Sequence, residues 1–169
     1  MGLNFHTLPA EAESVSNVTL TNSVDLGTVR VVNGEEYVYV YNDSNTSLPV
    51  GYGAVMSGNT GMSVTVTSTT FFNACIGVVK HATMASLTYG WLLTRGFTNV
   101  KMAASSSGIV GGPIALGPSG TFQDIPTANS AMTSFSQLTS QFGLLAVGVV
   151  VQATASAGTA YAYVRCFGS

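Results

Sequence analysis

Charge is what this sequence has least of. Of its 169 residues five are basic and seven acidic, so only 7% are charged, against about 25% in an ordinary soluble domain. The cations Arg30, Lys80, Arg95, Lys101 and Arg165 are scattered along the chain. Counterion release from a nucleic acid needs them gathered, so nucleic acid is not an expected partner, and neither is an anionic membrane surface. Two cysteines, Cys75 and Cys166, and two distant histidines, His6 and His81, are too few to cage a metal. Both cysteines sit in apolar, strand-like stretches and read as buried reduced thiols, with a disulfide as the alternative. The longest apolar run, Leu144–Val151, is far short of the ~20 residues of a membrane-spanning helix. The patterns GxxxxGK, GxGxxG and GxSxG are missing, which removes the usual phosphate cradles and the hydrolase nucleophile elbow. Residues 1–10 have neither the basic nor the apolar region of an export signal. The expectation is a protein with no enzymatic activity, no cofactor and no metal.

What the chain does have is Gly, Ser, Thr and Val, a mean hydropathy of +0.39 and a net charge of −2. A surface solvated by hydroxyls rather than charges gives little repulsion between copies, which suits a subunit whose adhesive sides are covered by neighbours. It also has an internal repeat. Gly77–Trp91 returns as Gly148–Tyr163, matching Gly77/Gly148, Val78/Val149, Val79/Val150, Ala82/Ala153 and Thr83/Thr154, with Tyr89 falling near Tyr161. Upstream, Tyr37–Tyr41, Val50-Gly51 and Ala54-Val55-Met56 resemble Trp91–Thr94, Val110-Gly111 and Ile114-Ala115-Leu116. Two similar half-units, about 28–88 and 89–167, are expected to close into one β domain spanning 26–169, preceded by an arm, residues 1–25.

The arm is polar, with irregularly spaced Leu3, Phe5 and Leu8, and reads either as a free tail or as a strap lying on a neighbour. In Thr28–Tyr41 the pair Asn33-Gly34 marks a two-residue hairpin turn, because both central positions need positive φ. Val29 is then opposite Val38, Arg30 opposite Tyr37 and Val31 opposite Glu36. One face carries Val29, Val31, Val38 and Val40 and is expected to be core. The other carries Arg30, Tyr37, Tyr39 and Tyr41, a half-wet surface or a subunit interface.

Asn42–Pro49 and Ala103–Gly112 read as loops, and Gly51–Met56, Met62–Thr67 and Val100–Met102 as short strands. Ala74–Val79 and Leu144–Val151 read as buried strands. His81 falls in a loop, Lys80–Thr88, and reads as solvated. In Tyr89–Gly96, Tyr89, Trp91 and Leu93 share a face. Trp91 reads as a core anchor whose indole N–H reaches a carbonyl, with sugar stacking as the alternative. Thr121–Gly143 reads as a long excursion with a helical turn or two. Thr159–Phe167 alternates Tyr161, Tyr163 and Arg165 outward with Ala160, Ala162 and Val164 inward. About ten short strands result, an all-β antiparallel barrel or sandwich. The interface candidates are Leu3, Phe5, Leu8, Arg30, Tyr37, Tyr39, Tyr41, Tyr161, Tyr163 and Arg165.

The order Leu26-Gly27, Gly34–Tyr41, Gly51 before a short strand, Ile76-Gly77-Val78-Val79, and Tyr89-Gly90-Trp91 with Gly96 beyond it resembles the head-decoration, or cement, proteins of tailed bacteriophages, over roughly residues 26–166. The resemblance implies a small all-β protein, a homotrimer, on the exterior of the capsid, assembled in the host cytoplasm and stabilising the head by binding the major capsid protein. It implies an N-terminal arm used in contacts, and no catalytic residues. The rival expectation is a receptor- or glycan-binding domain of a virion spike or adhesin, with its site in the loops Asn42–Pro49 and Ala103–Gly112.

Overall fold

The computed structural model describes residues 14–57, 61–66, 75–104, 106–125, 146–153 and 158–166. Among them are ten strands: β1 Val29–Val32, β2 Glu35–Asn42, β3 Gly53–Met56, β4 Ser63–Thr65, β5 Gly77–Val78, β6 Thr88–Lys101, β7 Pro113–Leu116, β8 Phe122–Asp124, β9 Ala146–Ala153 and β10 Thr159–Arg165. They follow the order β1-β2-β4-β3-β5-β6-β10-β9-β7-β8, and β2 also pairs with β6. That extra pairing closes β2-β4-β3-β5-β6 into a five-stranded barrel. A single parallel bridge between Met102, just past β6, and Phe122 brings that end of the chain beside β8, so the remaining strands β6-β10-β9-β7-β8 curl into a second, less completely paired ring. The strand pairings are antiparallel except β2 with β4.

The hairpin turn forms as its residues require: Asn33 and Gly34 have φ of 52° and 80°, and the register is Val29↔Val38, Arg30↔Tyr37, Val31↔Glu36. The burial of its faces differs from expectation. Val38 and Val40 enter the first barrel, but Val29 and Val31 are exposed, because β1 lies outside the ring that β2 helps close. Tyr37 and Tyr39, on the opposite face of β2, are core residues, not surface ones.

The two rings repeat one pattern. Ala54 pairs with Gly77 and Gly53 with Val78, as Ile114 pairs with Gly148 and Pro113 with Val149. The Gly51 N–H donates to Val79 O at 2.7 Å and the Gly111 N–H to Val150 O at 2.8 Å, with φ of 87° and 78° at the two glycines. Asp43 N–H donates to Val64 O as Ala103 N–H does to Phe122 O. A Cβ on Gly77 would lie 2.6 Å from Leu92 Cβ, and one on Gly148 would collide with the Tyr163 carbonyl, so each repeat needs its glycine for close strand approach. Cross-strand pairs then match Tyr39↔Trp91 and Tyr37↔Leu93 with Asn99↔Tyr161 and Phe97↔Tyr163. This corrects the expected upstream match: Tyr37–Tyr41 correspond to Phe97–Lys101, not to Trp91–Thr94, and Trp91, not Tyr89, corresponds to Tyr161.

Strand β6 serves both rings, which is why it runs to 14 residues where the sequence reads as two separate strands. Its register with β2 skips Thr94, whose hydroxyl donates to Glu36 O at 3.1 Å and to Glu36 Oε1 at 3.0 Å. A bulge bends a strand and increases its twist, and here it lies where β6 passes from one ring to the next. The first barrel is filled by Val38, Val40, Ala54, Val64, Val79 and Leu92, with Leu48 and Met84 also in its core. The second holds Val100, Ile114, Phe122, Val150, Ala162 and Val164. Each of the Val, Leu, Ile, Met and Phe side chains among them contributes about 1.5–3 kcal/mol through burial. At the seam, Cys75 and Cys166 are thiols with sulfurs 3.4 Å apart. Of Leu144–Val151, read as a buried strand, residues 146–151 are described, and among them Val147 and Val150 are core while Val149 and Val151 are exposed. Of Thr121–Gly143, Phe122–Asp124 is a strand, and residues 126–145 lie outside those described.

Candidate functional site: an uncovered aromatic face

Along β6 the odd-numbered side chains point out of both barrels. In the first they are Tyr89, Trp91 and Leu93; in the second, Arg95, Phe97 and Asn99, all exposed. Strand β10 adds Tyr161, Tyr163 and Arg165, and β9 adds Val149 and Val151. The Phe97 and Tyr161 rings stack with centroids 5.9 Å apart, and Phe97 meets Tyr163 edge-on at 5.0 Å. The Arg95 Nε–H donates to Tyr163 Oη at 3.0 Å, and Arg95 is the cross-strand partner of Arg165. The outcome is a flat apolar face rimmed by two guanidinium groups.

The same positions of the first barrel are covered. Tyr37 is 2% exposed where its counterpart Phe97 is 43%, Trp91 4% where Tyr161 is 36%, and Val78 0% where Val149 is 42%. The cover is the chain's own lead-in segment. Val15, Val24 and Leu26 pack on the core cluster to which Tyr37, Tyr39, Val78, Trp91 and Leu93 belong. Thr19 forms an antiparallel bridge with Tyr89. Tyr39 Oη lies 3.1 Å from Ser23 Oγ and 3.4 Å from Thr19 Oγ1. The Arg30 guanidinium lies over the Trp91 ring, 4.9 Å from its centre, a favourable cation–π arrangement. The Trp91 indole N–H, expected on a carbonyl, finds no acceptor among the described residues; the arginine over the ring and the tyrosine beside it hold the indole instead.

A polar network borders the bare face. Lys80 Nζ makes an ion pair with Glu35 and donates to Phe97 O at 2.9 Å. The Tyr37 hydroxyl donates to Glu35 Oε2 at 2.7 Å and lies 3.0 Å from His81 Nε2. Since that hydroxyl proton is already given to Glu35, Nε2 must be the donor toward Tyr37, leaving Nδ1 as the acceptor of a neutral imidazole. His81 is exposed, as expected of a loop histidine, and its ring is also held against Tyr37. Burial and the Lys80 charge hold it below its ordinary pKa. Burial raises Glu35, but the hydrogen bonds from Lys80 and Tyr37 outweigh it and bring the carboxyl below its usual range. Burial and the Glu35 carboxylate push Tyr37 up. The network orders one wall of a hollow of about 340 Å³ that reaches Phe97, Asn99 and Tyr161.

Of the sequence-derived interface candidates, Tyr161, Tyr163 and Arg165 come together on this face. Tyr37 and Tyr39 are buried beneath the lead-in segment, Arg30 sits on Trp91, and Tyr41 packs on Tyr89 with ring centres 4.7 Å apart. Leu3, Phe5 and Leu8 lie outside the described residues. Phe97, Val149, Val151 and Arg95 complete the face and were not singled out from sequence; the alternation Arg95-Phe97-Asn99 is the signal that could have found them.

A second concavity, about 820 Å³, is lined by Asp43, Ser44, Asn45, Thr46, Tyr52 and Ser57, among others. Asp43 Oδ2 accepts from Ser57 Oγ at 2.6 Å. The other expected binding loop is closed on itself: the N–H groups of Ser107, Gly108 and Ile109 all donate to the Asp124 carboxylate.

No family model matches this chain, and no curated protein matches it. Among solved structures it is similar to the N base of the head fiber gp8.5 of bacteriophage phi29, with a TM-score of 0.48 and 12% identity, covering 76% of this chain and 93% of that one. A likeness this loose carries no functional conclusion by itself.

Proposed function

We propose that this chain is a structural protein of a tailed-phage virion that docks on the capsid exterior and stabilises the head through apolar and tyrosine-mediated contacts. The observation that carries the reading is the face of exposed Phe97, Tyr161 and Val149 with half-buried Tyr163, bare where its counterpart in the first barrel is covered. Scattered exposed apolar residues need no explanation, but a contiguous aromatic patch rimmed by polar groups marks an interaction surface. The resemblance of Tyr89-Gly90-Trp91 and its flanking glycines to head-decoration proteins supplies the setting. A subunit that binds only the assembled shell lowers that state's free energy by its own binding free energy. With so few charges, the attachment is expected to be nearly independent of salt. The test is co-sedimentation of purified protein with undecorated mature heads in low and high salt. Retention in both is expected; loss in high salt, or no binding at all, contradicts the reading.

The second reading, a glycan-binding virion domain, has the hydroxyl-lined hollow around Asp43, Ser44 and Tyr52 in its favour. Hydroxyl and carboxylate groups with one aromatic ring suit a neutral sugar. Specific hits on a glycan array that disappear in Tyr52→Ala would support it.

A further inference from the structure

The two cysteines stand 91 positions apart in sequence, yet their sulfurs lie 3.4 Å from each other. Both are buried in the same apolar cluster. Cys75 comes two residues before β5, and Cys166 directly follows β10. Those two strands flank β6, β5 through Val78↔Leu93 and β10 through Arg165↔Arg95. The Cys166 N–H donates to Thr94 O at 2.8 Å, so the pair sits at the bulge where β6 passes from one ring to the next. We propose that Cys75 and Cys166 are an oxidisable clamp: a hydroperoxide joins them as a disulfide that fastens the first ring to the second. The clamp is independent of the virion reading.

The reaction balances between the pair and its oxidant. One thiol gives up its proton and attacks the O–O bond of hydrogen peroxide, becoming a sulfenic acid and releasing one water. The second sulfur then displaces the sulfenic hydroxyl, which leaves with the second thiol proton as another water. Two electrons pass from the sulfurs to the peroxide, and one S–S bond replaces two S–H bonds. The resolving sulfur is already in contact, so condensation is favoured over further oxidation to a sulfinic acid. The neighbouring sulfur and burial raise the Cys166 thiol well above its ordinary range. Thiolate is therefore scarce, and the pair stays reduced unless the exposure is sustained. Two sulfurs alone make a poor metal site, and among the described residues no His, Asp or Glu joins them.

The bond would reinforce the thinnest junction of the first ring. Strand β2 is in register with β6 from Glu36 to Asn42, whereas β5 meets β6 at the single pair Val78↔Leu93 and β3 only at Gly53 and Ala54. A strand held so lightly has room to shift, and closure needs little: disulfide sulfurs are about 2.0 Å apart, so the two must approach by roughly 1.4 Å. Joining residues this distant in sequence also removes much of the freedom of the unfolded chain. Oxidation is expected to raise the thermal midpoint by roughly 5–15 °C.

The test holds the folded, full-length wild type in hydrogen peroxide and samples it over time. Thiols are counted after denaturation, the chain is digested without reduction, and thermal unfolding is followed before and after dithiothreitol. Both thiols are expected to disappear together, with a peptide joining Cys75 to Cys166 that is about 2 Da lighter than its two thiol halves. The thermal midpoint should rise as that peptide accumulates and return on reduction. Cys75→Ala and Cys166→Ala should give neither the linked peptide nor a reversible rise, which separates the clamp from methionine oxidation, an effect dithiothreitol leaves in place. Wild-type thiols that survive intact, thiols that end as sulfinic acid without a linked peptide, or a linked peptide with an unchanged or lowered midpoint would each overturn the proposal. The wild type alone gives these readouts, so they do not depend on how well the variants fold. None of them decides whether the protein binds heads, which co-sedimentation reads separately.

Discussion

The first barrel and the second are built on one plan, yet their outer faces have opposite fates. Where the first has Tyr37, Val78, Trp91 and Leu93 sealed under residues 15–30, the second has Phe97, Val149, Tyr161 and Tyr163 facing outward. The rims differ as well. The first carries Glu35, Lys80 and His81 in a closed hydrogen-bonded network; the corresponding positions of the second are Arg95, Val151 and Gln152, all exposed. A repeated fold thus gives one copy of a surface to the chain's own stability and leaves the other available for association.

The contrast can be broken most forcefully at the tryptophan. Trp91→Ala should cost about 3–5 kcal/mol, as for other buried large-to-small changes. Tyr161→Ala, its counterpart, should cost less than about 1 kcal/mol in the dilute chain, like most surface changes. Urea unfolding of both variants measures the difference, and similar losses would mean the second face is not bare. The shared plan itself is tested at its glycines: Gly77→Ala and Gly148→Ala should each destabilise by about 1–3 kcal/mol through overpacking against the neighbouring strand, and a neutral result at either would deny the equivalence. The loops that cap the two rings are pinned differently. Asn42→Ala frees three carbonyls from a buried amide and should cost about 1–3 kcal/mol. Asp124→Ala frees three backbone N–H groups that reach water more easily, and a smaller loss is expected in the same unfolding assay.

The smallest effect is that of pH. His81 titrates below its ordinary 6.5, so between that value and its native pKa the unfolded chain binds the extra proton, and stability falls as pH drops through the window. Glu35 is held below 4.5; its contribution is complete above that value and is lost as pH falls through the lower native one. Thermal unfolding across this range should therefore show two successive losses on acidification. His81→Gln, which copies the residue of the second barrel, should abolish the upper one alone.

Much of this architecture was legible from residues. Asn33-Gly34 gives the hairpin and its register, because only a turn with two positive φ values fits there. The match of Gly51 and Ala54-Val55-Met56 to Gly111 and Ile114-Ala115-Leu116, and of Gly77-Val78-Val79 to Gly148-Val149-Val150, reports real equivalences, since both copies need glycine at the same close approach. Alternation also tells which side chains share a face. It cannot tell which face acquires a cover. That is why Tyr37 and Tyr39 read as surface: their burial depends on residues 15–30 returning across the barrel, a long-range event with no local pattern. It is also why Val29 and Val31 read as core, although β1 lies outside the closed ring. The shared use of β6 was hidden for another reason: the bulge at Thr94 and the bend near Gly96 interrupt its pattern, so one long strand reads as two.

The most direct measurement is hydroxyl-radical footprinting of the dilute free chain and of the same chain bound to heads. The account predicts that Phe97, Tyr161 and Tyr163 are oxidised readily when free and protected in the assembly, while Tyr37, Tyr39 and Trp91 stay unreactive in both. Equal reactivity of Phe97 and Tyr161 in the two states would contradict it.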